Sequence, residues 1–373
     1  MHHRLQDSQP AAPAAALSQR LDFVDASQAA EAHGWLPSIH YQQISSGRFS
    51  GLLKRLNLGD IQVVREQHSQ DVHQCGVMPA GQCTLSFIDA VEPGTRFSQF
   101  AKGCTDQLFL LTEQTVFDIV VPGGGAISYV RLDQAAFLDD LAVLNEPLAA
   151  RLGAVGDLQA LGSAGKAAFA AVVHALFAIT GTARSRQQEV DWHVLQRNLR
   201  EHLLLAVAAT AEVIPGTDPS LHARRRTLHI VRRAQAYLDA QLGQGLIPTV
   251  VEMYTAAGVS ERTLQCAFRD QLGLSPSAYL RLRRLNGVRA ELLTPTPDTT
   301  VTSVATHWGF LHLGRFARAY RALFGETPSE TLTHAAGLFM TDIGEHRPVP
   351  EAPPAGGEVL LAGCARPPNK GLD

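Results

Sequence analysis

The chain has 373 residues, an apolar share of 45%, a mean hydropathy of −0.01 and a formal net charge of −3. This length is too great for one ordinary core and predicts two domains with room for tails. The composition is that of a soluble globular protein, and the apolar runs stay shorter than the roughly 18 residues of a membrane-spanning helix, so no membrane segment is predicted.

The N-terminus is rich in alanine and proline but does not place an apolar core after a basic segment, so no secretory signal is predicted and the cytoplasm is the expected location. Five cysteines without a CxxC pair argue against a disulfide framework or a zinc site. Cys75 and Cys83 lie near His68 and His73, but these residues alternate like strand residues, and the dense histidine and carboxylate spacing of a metal-binding cupin is missing. We therefore predict neither a metal nor another cofactor.

Residues 1–20 are expected to form a disordered tail, and short strands are predicted from about Phe49 to Leu132. The first strand pair alternates apolar and polar residues on both sides of Gly59-Asp60, a hairpin signal. Further strand-like runs are CTLSFIDA, DQLFLLTEQTVFDIVV and AISYVRL, the last two separated by the turn PGGG. Six or more short strands with turns between them predict an antiparallel barrel or sandwich.

Helical periodicity begins after Asp133. The segments 164–180 and 190–214 carry apolar stripes wider than a surface helix needs. We expect both helices to pack on the barrel and against a second subunit, although burial in the core alone would give the same pattern. Residues 21–213 are therefore predicted to form a β-rich, barrel-like domain with packed helices.

The segment IPGTDPS breaks the helical pattern, and a linker is predicted at residues 214–223. A helical, arginine-rich domain follows at residues 224–336, and the proline- and glycine-rich segment 337–373 is predicted to be a disordered tail. Residues 221–340 contain 14 arginines, no lysine and 8 carboxylates, a balance of +6, so the remainder carries −9. A polyanion is expected to meet the basic part, although charge alone would equally fit a solvated helical surface.

The basic region contains an internal repeat. Segments beginning at Thr249 and Thr300 align at an offset of 51 residues, and the offset becomes 52 after Gly258 and Gly309. One residue is therefore inserted just after the second of these glycines. Each unit has a threonine N-cap, a short helix, a glycine suited to positive φ and a second helix, which is the pattern of a helix-turn-helix.

A helical wheel separates an apolar face of each second helix from an outward face. The outward positions are Arg262, Gln265, Cys266 and Arg269 in the first unit, and Gly314, Arg315, Ala317, Arg318 and Arg321 in the second. Outward arginine can read guanine O6 and N7 in the major groove, and glutamine can read adenine. Two units in one chain are expected to occupy successive major-groove segments of double-stranded promoter DNA. The alternative is a helical bundle with a solvated basic face.

The segments GVSERTLQCAFRDQLGLSPSAYLRLRRL and WGFLHLGRFARAYRALFGETPSETL resemble the AraC/XylS family of bacterial transcription regulators over about residues 226–333. The resemblance implies a seven-helix DNA-binding domain whose two units are joined by a long helix, about Pro276 to Leu293. Carried over by position, it implies base contacts at Arg262, Gln265 and Cys266 and at Leu313, Gly314, Ala317 and Arg318. The helical wheel places Leu313 closer to the core side.

The N-terminal segment SGRFSGLLKRLNLGDIQVVREQ and the motif HLGRFA are similar to the branch of that family containing ethanolamine-operon regulators. This similarity implies a cupin-like effector-sensing and dimerisation domain at residues 21–213, without identifying the effector. Two positions depart from the family pattern. His312 stands where serine usually caps the second recognition helix, which implies a weaker cap. Cys266 stands where larger polar residues are common, so its base contact is apolar or absent, and a redox role lacks a nearby resolving cysteine.

The predicted function is a sequence-specific transcription regulator, an activator, with double-stranded promoter DNA, a second copy of the chain, RNA polymerase and a small-molecule effector as partners. Gly314 and its apolar neighbours predict weaker base readout by the second unit. Arg281, Arg283 and Arg284 on the linking helix are expected to hold phosphates or to be solvated. The alternatives are a constitutive DNA-binding dimer without an effector and a cupin-like metal enzyme fused to a DNA-binding module. No PCHR, GxSxG or HExxH motif appears, and no enzyme is predicted.

Overall fold

A computed structural model describes residues 12–13, 18–36, 39–89, 96–97, 107–153, 159–161, 163–209 and 219–344. Most of the predicted N-terminal tail, residues 214–218 of the predicted linker and residues 345–373 lie outside this part of the chain. The described strands are β1 Ala12–Pro13, β2 Ser18–Phe23, β3 His40–Gln43, β4 Gly51–Leu58, β5 Ile61–His68, β6 Val72–Val77, β7 Gln82–Ile88, β8 Arg96–Phe97, β9 Leu108–Leu111, β10 Val116–Val121, β11 Ala126–Asp133, β12 Gln159–Leu161 and β13 Glu189–Val190.

Eleven of the described strands form two facing antiparallel sheets, and β1 pairs with β13 in a separate two-stranded sheet. The larger sheet has the order β12-β9-β7-β11-β5-β4-β2, and the smaller has the order β3-β6-β10-β8. Leu58 pairs with Ile61 across a two-residue connection in which Gly59 has φ +69°, so the hairpin predicted there is confirmed. Apolar residues of both sheets, such as Phe117 and Ile127, share one buried cluster. The predicted β-rich N-terminal domain is therefore confirmed.

Helices cover the outer face of the larger sheet. Leu56 and Phe87 of the sheet lie in one core cluster with Phe169 and Leu199 of two long helices, because those helices turn one apolar stripe inward. The second of these helices ends at Ala208, before the predicted limit of 214. The N-terminal helices are α1 Ala26–Glu31, α2 Gln134–Gly153, α3 Lys166–Ser185 and α4 Trp192–Ala208.

One stretch among the described residues, Ser163–Ser185, is long and apolar enough to cross a membrane by length and composition. Phe169, Val173 and Leu176 of this stretch are buried against the sheet. Core helices of soluble proteins pass the same test of length and hydropathy, and 28% of this apolar window is buried in the structure.

The C-terminal domain consists of helices around two clusters. Leu264 and Phe268 centre the first cluster, and Phe316 and Tyr320 centre the second. The long helix between the units contributes Tyr279 to the first cluster, whereas its later turns contribute to the second. The described helices are α5 Pro219–Gly243, α6 Val250–Ala257, α7 Glu261–Leu272, α8 Pro276–Leu293, α9 Val301–His307, α10 Leu313–Phe324 and α11 Pro328–Gly344. The all-α domain with two helix-turn-helix units is therefore confirmed.

Three elements cross the predicted domain boundaries. Strand β2 begins at Ser18, inside the predicted tail, because pairing with β4 orders it. Helix α5 begins at Pro219, inside the predicted linker, because proline is well suited to the first helical position. Helix α11 continues to Gly344, inside the predicted C-terminal tail. The predicted boundaries follow changes in composition, which do not mark the ends of these three elements.

Strand β3 joins the N-terminal domain to the second helix-turn-helix unit. The side-chain amide of Gln43 donates to the backbone carbonyl of Leu323 at 2.8 Å, and the N–H of Gly47 donates to the same carbonyl at 2.9 Å. Asn286 of α8 exchanges two hydrogen bonds with the backbone of Gln43, at 3.1 and 3.2 Å. Carbonyls in the last turn of a helix have no N–H donor from the helix itself. The N-terminal domain thus provides the hydrogen-bond donors for one such carbonyl of α10.

A buried ion-pair network lies beside this contact. Arg289 of α8 is 4% exposed, and its guanidinium contacts Asp25 at 2.5 Å and Glu326 at 2.7 Å. Burial alone would raise the pKa of Glu326, but hydrogen bonds from Thr331 and Arg289 outweigh it and hold that pKa below its ordinary value. The first unit also meets the N-terminal domain, since Val120 of β10 packs in its core cluster. The two domains therefore share buried polar and apolar contacts.

Candidate nucleic-acid interface and ligand cavity

The first helix-turn-helix unit has a regular local structure. Thr249 and Glu252 form a capping box at the start of α6, with hydrogen bonds of 2.7 and 3.3 Å. Gly258 then adopts φ +68° and ends α6 in the left-handed region. The hydroxyl of Ser260 accepts a hydrogen bond from the N–H of Thr263 at 3.2 Å and caps α7, as predicted.

The second unit repeats this turn with one added residue. The N–H of Phe310 donates to the carbonyl of Ala305, as that of Val259 donates to Tyr254 in the first unit. The chain then needs one more residue before α10, and this residue is Leu311, which is 80% exposed. His312 caps α10 without a side-chain hydrogen bond, so the predicted weaker cap is present.

The apolar face of each second helix is buried and the predicted DNA-facing side chains lie outside it. In α7, Arg262, Cys266 and Arg269 are exposed and Gln265 is half-buried. The amide of Gln265 donates to the carboxylate of Glu261 at 3.0 Å, one turn earlier on the same helix. The first unit therefore presents two arginines, a thiol and an amide on one helix.

The outward side of α10 is smaller and more basic. Gly314, Arg315, Arg318 and Arg321 are exposed, whereas Ala317 is half-buried. The guanidinium Nε of Arg318 donates to the backbone carbonyl of Gly314 at 3.2 Å, which holds this arginine along the helix. Three arginines thus surround a patch without bulky side chains.

Gly287 and Gly314 lie inside helices of this domain for different reasons. A Cβ at Gly287 of α8 would meet the ring of Trp308 at 2.1 Å, so close packing requires glycine there. A Cβ at Gly314 would meet no atom within 4 Å, and Gly314 lies in the first turn of α10 with ordinary negative φ. Nothing in the described fold therefore requires Gly314, although glycine weakens a helix by about 1 kcal/mol relative to alanine.

Three sequence-based placements need correction. Arg283 is not available to phosphate, because its guanidinium is held by Asp239 in a part-buried ion pair. Arg284 donates to the carbonyl of Trp308 at 2.7 Å and stacks 4.2 Å from the centre of the Phe310 ring, so it stabilises the turn of the second unit. Leu313, placed toward the core by the wheel, is 41% exposed because the first turn of α10 extends beyond the buried layer. Arg281 is exposed, as expected.

A cavity lies between the two sheets of the N-terminal domain and was not predicted from the sequence. Its empty volume is about 480 Å³ including its mouth. Glu66 lies buried in its wall, accepting hydrogen bonds from Tyr41 at 2.8 Å and from His68 at 2.6 Å, with Nε2 of His33 at 3.6 Å. Burial alone would raise the pKa of Glu66, but the two histidines and the hydrogen bonds outweigh it and lower that pKa. The carboxylate is therefore a structural anion with its oxygens occupied.

The cysteines and histidines singled out from the sequence are structural where described. Burial raises the pKa of Cys75 and of Cys83 to about 12, which keeps both thiols protonated. His68 contacts Glu66, and His73 contacts Asp118 at 3.1 Å. Within the described residues, no group of three or more histidine, cysteine or carboxylate side chains is arranged to hold a metal ion.

The two capped units and their outward arginines define a double helix-turn-helix DNA-binding domain. Residues 253–334 match the family profile described as "Helix-turn-helix domain". The chain is 44% identical over 104 residues to the probable thc operon regulatory protein of Rhodococcus erythropolis, covering 28% of this chain and 31% of that protein. It is 46% identical over 135 residues to the XylDLEGF operon transcriptional activator of Pseudomonas putida, covering 36% and 41%. The C-terminal domain is thus a helix-turn-helix domain similar to part of these operon regulators.

The similarity covers less than half the length of these curated relatives. Among solved structures, the AraC-like transcriptional activator CuxR is 16% identical with a TM-score of 0.38, over 72% of this chain and 94% of that one. A probable AraC family transcriptional regulator from Rhodopseudomonas palustris is 38% identical with a TM-score of 0.26, over 28% of this chain and 96% of that one.

Proposed function

We propose that the chain is a sequence-specific DNA-binding transcription regulator, an activator, whose two helix-turn-helix units occupy successive major-groove segments. The observation that carries this proposal is the pair of helices α7 and α10, each of which buries its apolar face and exposes arginines. Guanidinium groups on such helices suit guanine edges and phosphates. The names of the similar proteins, an operon regulatory protein and an operon activator, support the same function.

The two units are proposed to contribute differently. Arg262 and Gln265 of α7 supply the side chains best suited to base edges. Cys266 would make an apolar contact with a base, and Arg269 would lie near the sugar-phosphate backbone of the DNA. Gly314 and Ala317 of α10 would offer base edges only the protein backbone and one methyl group. The second unit would then grip phosphate through Arg315, Arg318 and Arg321 and read fewer bases.

The N-terminal domain is proposed to mediate dimerisation. Ile179 of α3 and Val194 and Leu205 of α4 are 50%, 44% and 52% exposed. Such side chains on the two helices predicted to meet a second subunit support a homodimer interface. RNA polymerase is a further proposed partner, as an activator requires, and the proposed location is the cytoplasm.

The sheet cavity is the proposed site of a small-molecule effector, which would place the regulator under chemical control. The similarity to ethanolamine-operon regulators stays a prediction and does not identify that effector. An enzyme is not proposed, because the proteins to which the chain is similar are named as regulators of transcription.

The test is binding to DNA selected from a random-sequence duplex library. In fluorescence anisotropy, Arg262→Ala should weaken binding to the selected site by about 1–3 kcal/mol, roughly 5- to 150-fold, and weaken binding to a scrambled duplex less. Arg318→Ala should weaken binding to both duplexes alike, as the loss of a phosphate contact would. Arg186→Ala removes an equal charge from an exposed position of the N-terminal domain and should change affinity little. Equal affinity of the wild type and both variants for selected and scrambled duplexes would rule out base readout.

A further inference from the structure

Several polar atoms of the sheet cavity are buried without a partner. Nε2 of Gln74, on β6, has no hydrogen-bond partner, and the Gln74 side chain lines the cavity with its residue only 5% exposed. The indole N–H of Trp35 and the hydroxyl of Tyr129 interact with each other, yet neither atom has a partner at hydrogen-bond distance and angle. A buried polar group without a partner costs free energy, so an occupant that supplies acceptors would be stabilised here.

The charge around the cavity argues against a charged occupant. Both carboxylate oxygens of Glu66 already accept hydrogen bonds, and two histidines flank them. The ring Nδ1–H of His33 donates to the carbonyl of Ala29 at 2.7 Å, which leaves Nε2 facing Glu66. No lysine or arginine stands among the described lining residues, so an organic anion would be buried without a counter-ion. A cation would have to compete with the histidines for Glu66.

The remaining lining is apolar. Side chains of Leu36, Met78, Phe117, Ile119 and Ile127 surround the polar atoms. A ligand pocket typically combines such an apolar lining with a few convergent polar groups. The apolar lining and the unpartnered donors therefore describe one ligand chemistry.

We infer that the sheet cavity binds an uncharged, compact and mostly apolar molecule that carries a carbonyl-type oxygen, and that the amide of Gln74 and the indole of Trp35 donate to that oxygen. This inference specifies the chemical class of the proposed effector. Its role in regulation rests on the proposed function. Strand β3 supplies the physical connection, because Tyr41 lines the cavity and Gln43, two residues later, holds the carbonyl of Leu323 in the second DNA-binding unit.

The test uses the full chain and four molecules of similar shape: acetophenone, ethylbenzene, benzoate and benzylamine. Titration calorimetry and quenching of tryptophan fluorescence would report binding. We expect acetophenone to bind at least tenfold more tightly than ethylbenzene, which lacks the acceptor, and more tightly than either charged molecule.

Gln74→Leu tests the donor directly. The variant should weaken acetophenone binding about tenfold without changing ethylbenzene binding. Leucine removes an amide nitrogen that has no partner, so the melting temperature should not fall. Gln67→Leu, on strand β5 of the facing sheet, is the matched control, because Gln67 lies next to Glu66 in the strand and therefore points away from the cavity. This control should bind acetophenone like the wild type.

The possible outcomes separate the ligand class from the proposed function. If acetophenone fails to bind at millimolar concentration, or if benzoate or benzylamine binds more tightly, the inferred ligand class is wrong and effector control by another molecule stands. If acetophenone binds with the expected dependence on Gln74 and promoter affinity stays constant, the cavity is a ligand site and the proposed effector control fails.

Discussion

Replacing Gly314 by alanine separates the needs of the fold from the needs of DNA binding. The added methyl group would meet no atom within 4 Å. Alanine favours a helix over glycine by about 1 kcal/mol, so Gly314→Ala should raise the free energy of unfolding by that amount. The melting temperature should rise by about 2–4 °C, as monitored by circular dichroism.

DNA binding should respond in the opposite direction. If the backbone of α10 approaches DNA closely at Gly314, the methyl group occupies space that the duplex needs. Affinity for the selected site should then fall at least about tenfold, which corresponds to about 1.4 kcal/mol. The salt dependence should change little, because no charge is lost.

Gly181 of α3 provides a matched control. It is exposed inside a helix, and a Cβ there would also meet no atom within 4 Å. Gly181→Ala should therefore stabilise the chain by about 1 kcal/mol while leaving DNA affinity unchanged. A stabilised Gly314→Ala variant with wild-type affinity would refute close approach of DNA, and a destabilised variant would refute the description of this site as open.

Three further outcomes follow from the described contacts. Phe316→Ala should cost about 3–5 kcal/mol in urea unfolding, because Phe316 is 2% exposed, and a loss below 1 kcal/mol would contradict its place in the core. Ser260→Ala should cost about 1 kcal/mol, whereas His312→Ser should stabilise the second unit, since only Ser260 provides a side-chain cap; equal effects would show that the caps do not differ. The pKa of Glu66 is lowered in the fold, so the stability it contributes is present above its ordinary value of 4.5 and is lost as the pH falls through the lowered pKa; Glu66→Gln should flatten this acid limb of the stability profile, and an unchanged limb would assign it to other groups.

The helix-turn-helix units could be predicted from sequence because their signals are local. A cap such as Ser260 contacts a residue three positions later, and a turn glycine such as Gly258 can be recognised from its position between two helical segments. The added residue of the second unit was also predictable, because the repeat offset changes by one. These features depend on neighbours within a few residues, which one sequence displays.

Non-local contacts were not predictable in this way. Arg283 and Arg284 have the same sequence appearance as solvated helix arginines, and only Asp239 and Phe310, far along the chain, decide their roles. The cavity depends on strand order, which brings Glu66 and Gln74 to facing sheets. The alternating pattern of a strand does not indicate that histidines will surround a glutamate such as Glu66 in the fold.

The contacts of Gln43 with the last turn of α10 bear on any attempt to excise the DNA-binding domain. A fragment limited to residues 219–344 would lose both donors to the Leu323 carbonyl and would leave Arg289 without Asp25. It would also expose the side of the first unit that Val120 covers. We therefore expect the excised domain to be less stable than the same residues in the whole chain. Measurements on such a fragment would describe a weakened second unit rather than the domain as it exists in the whole chain.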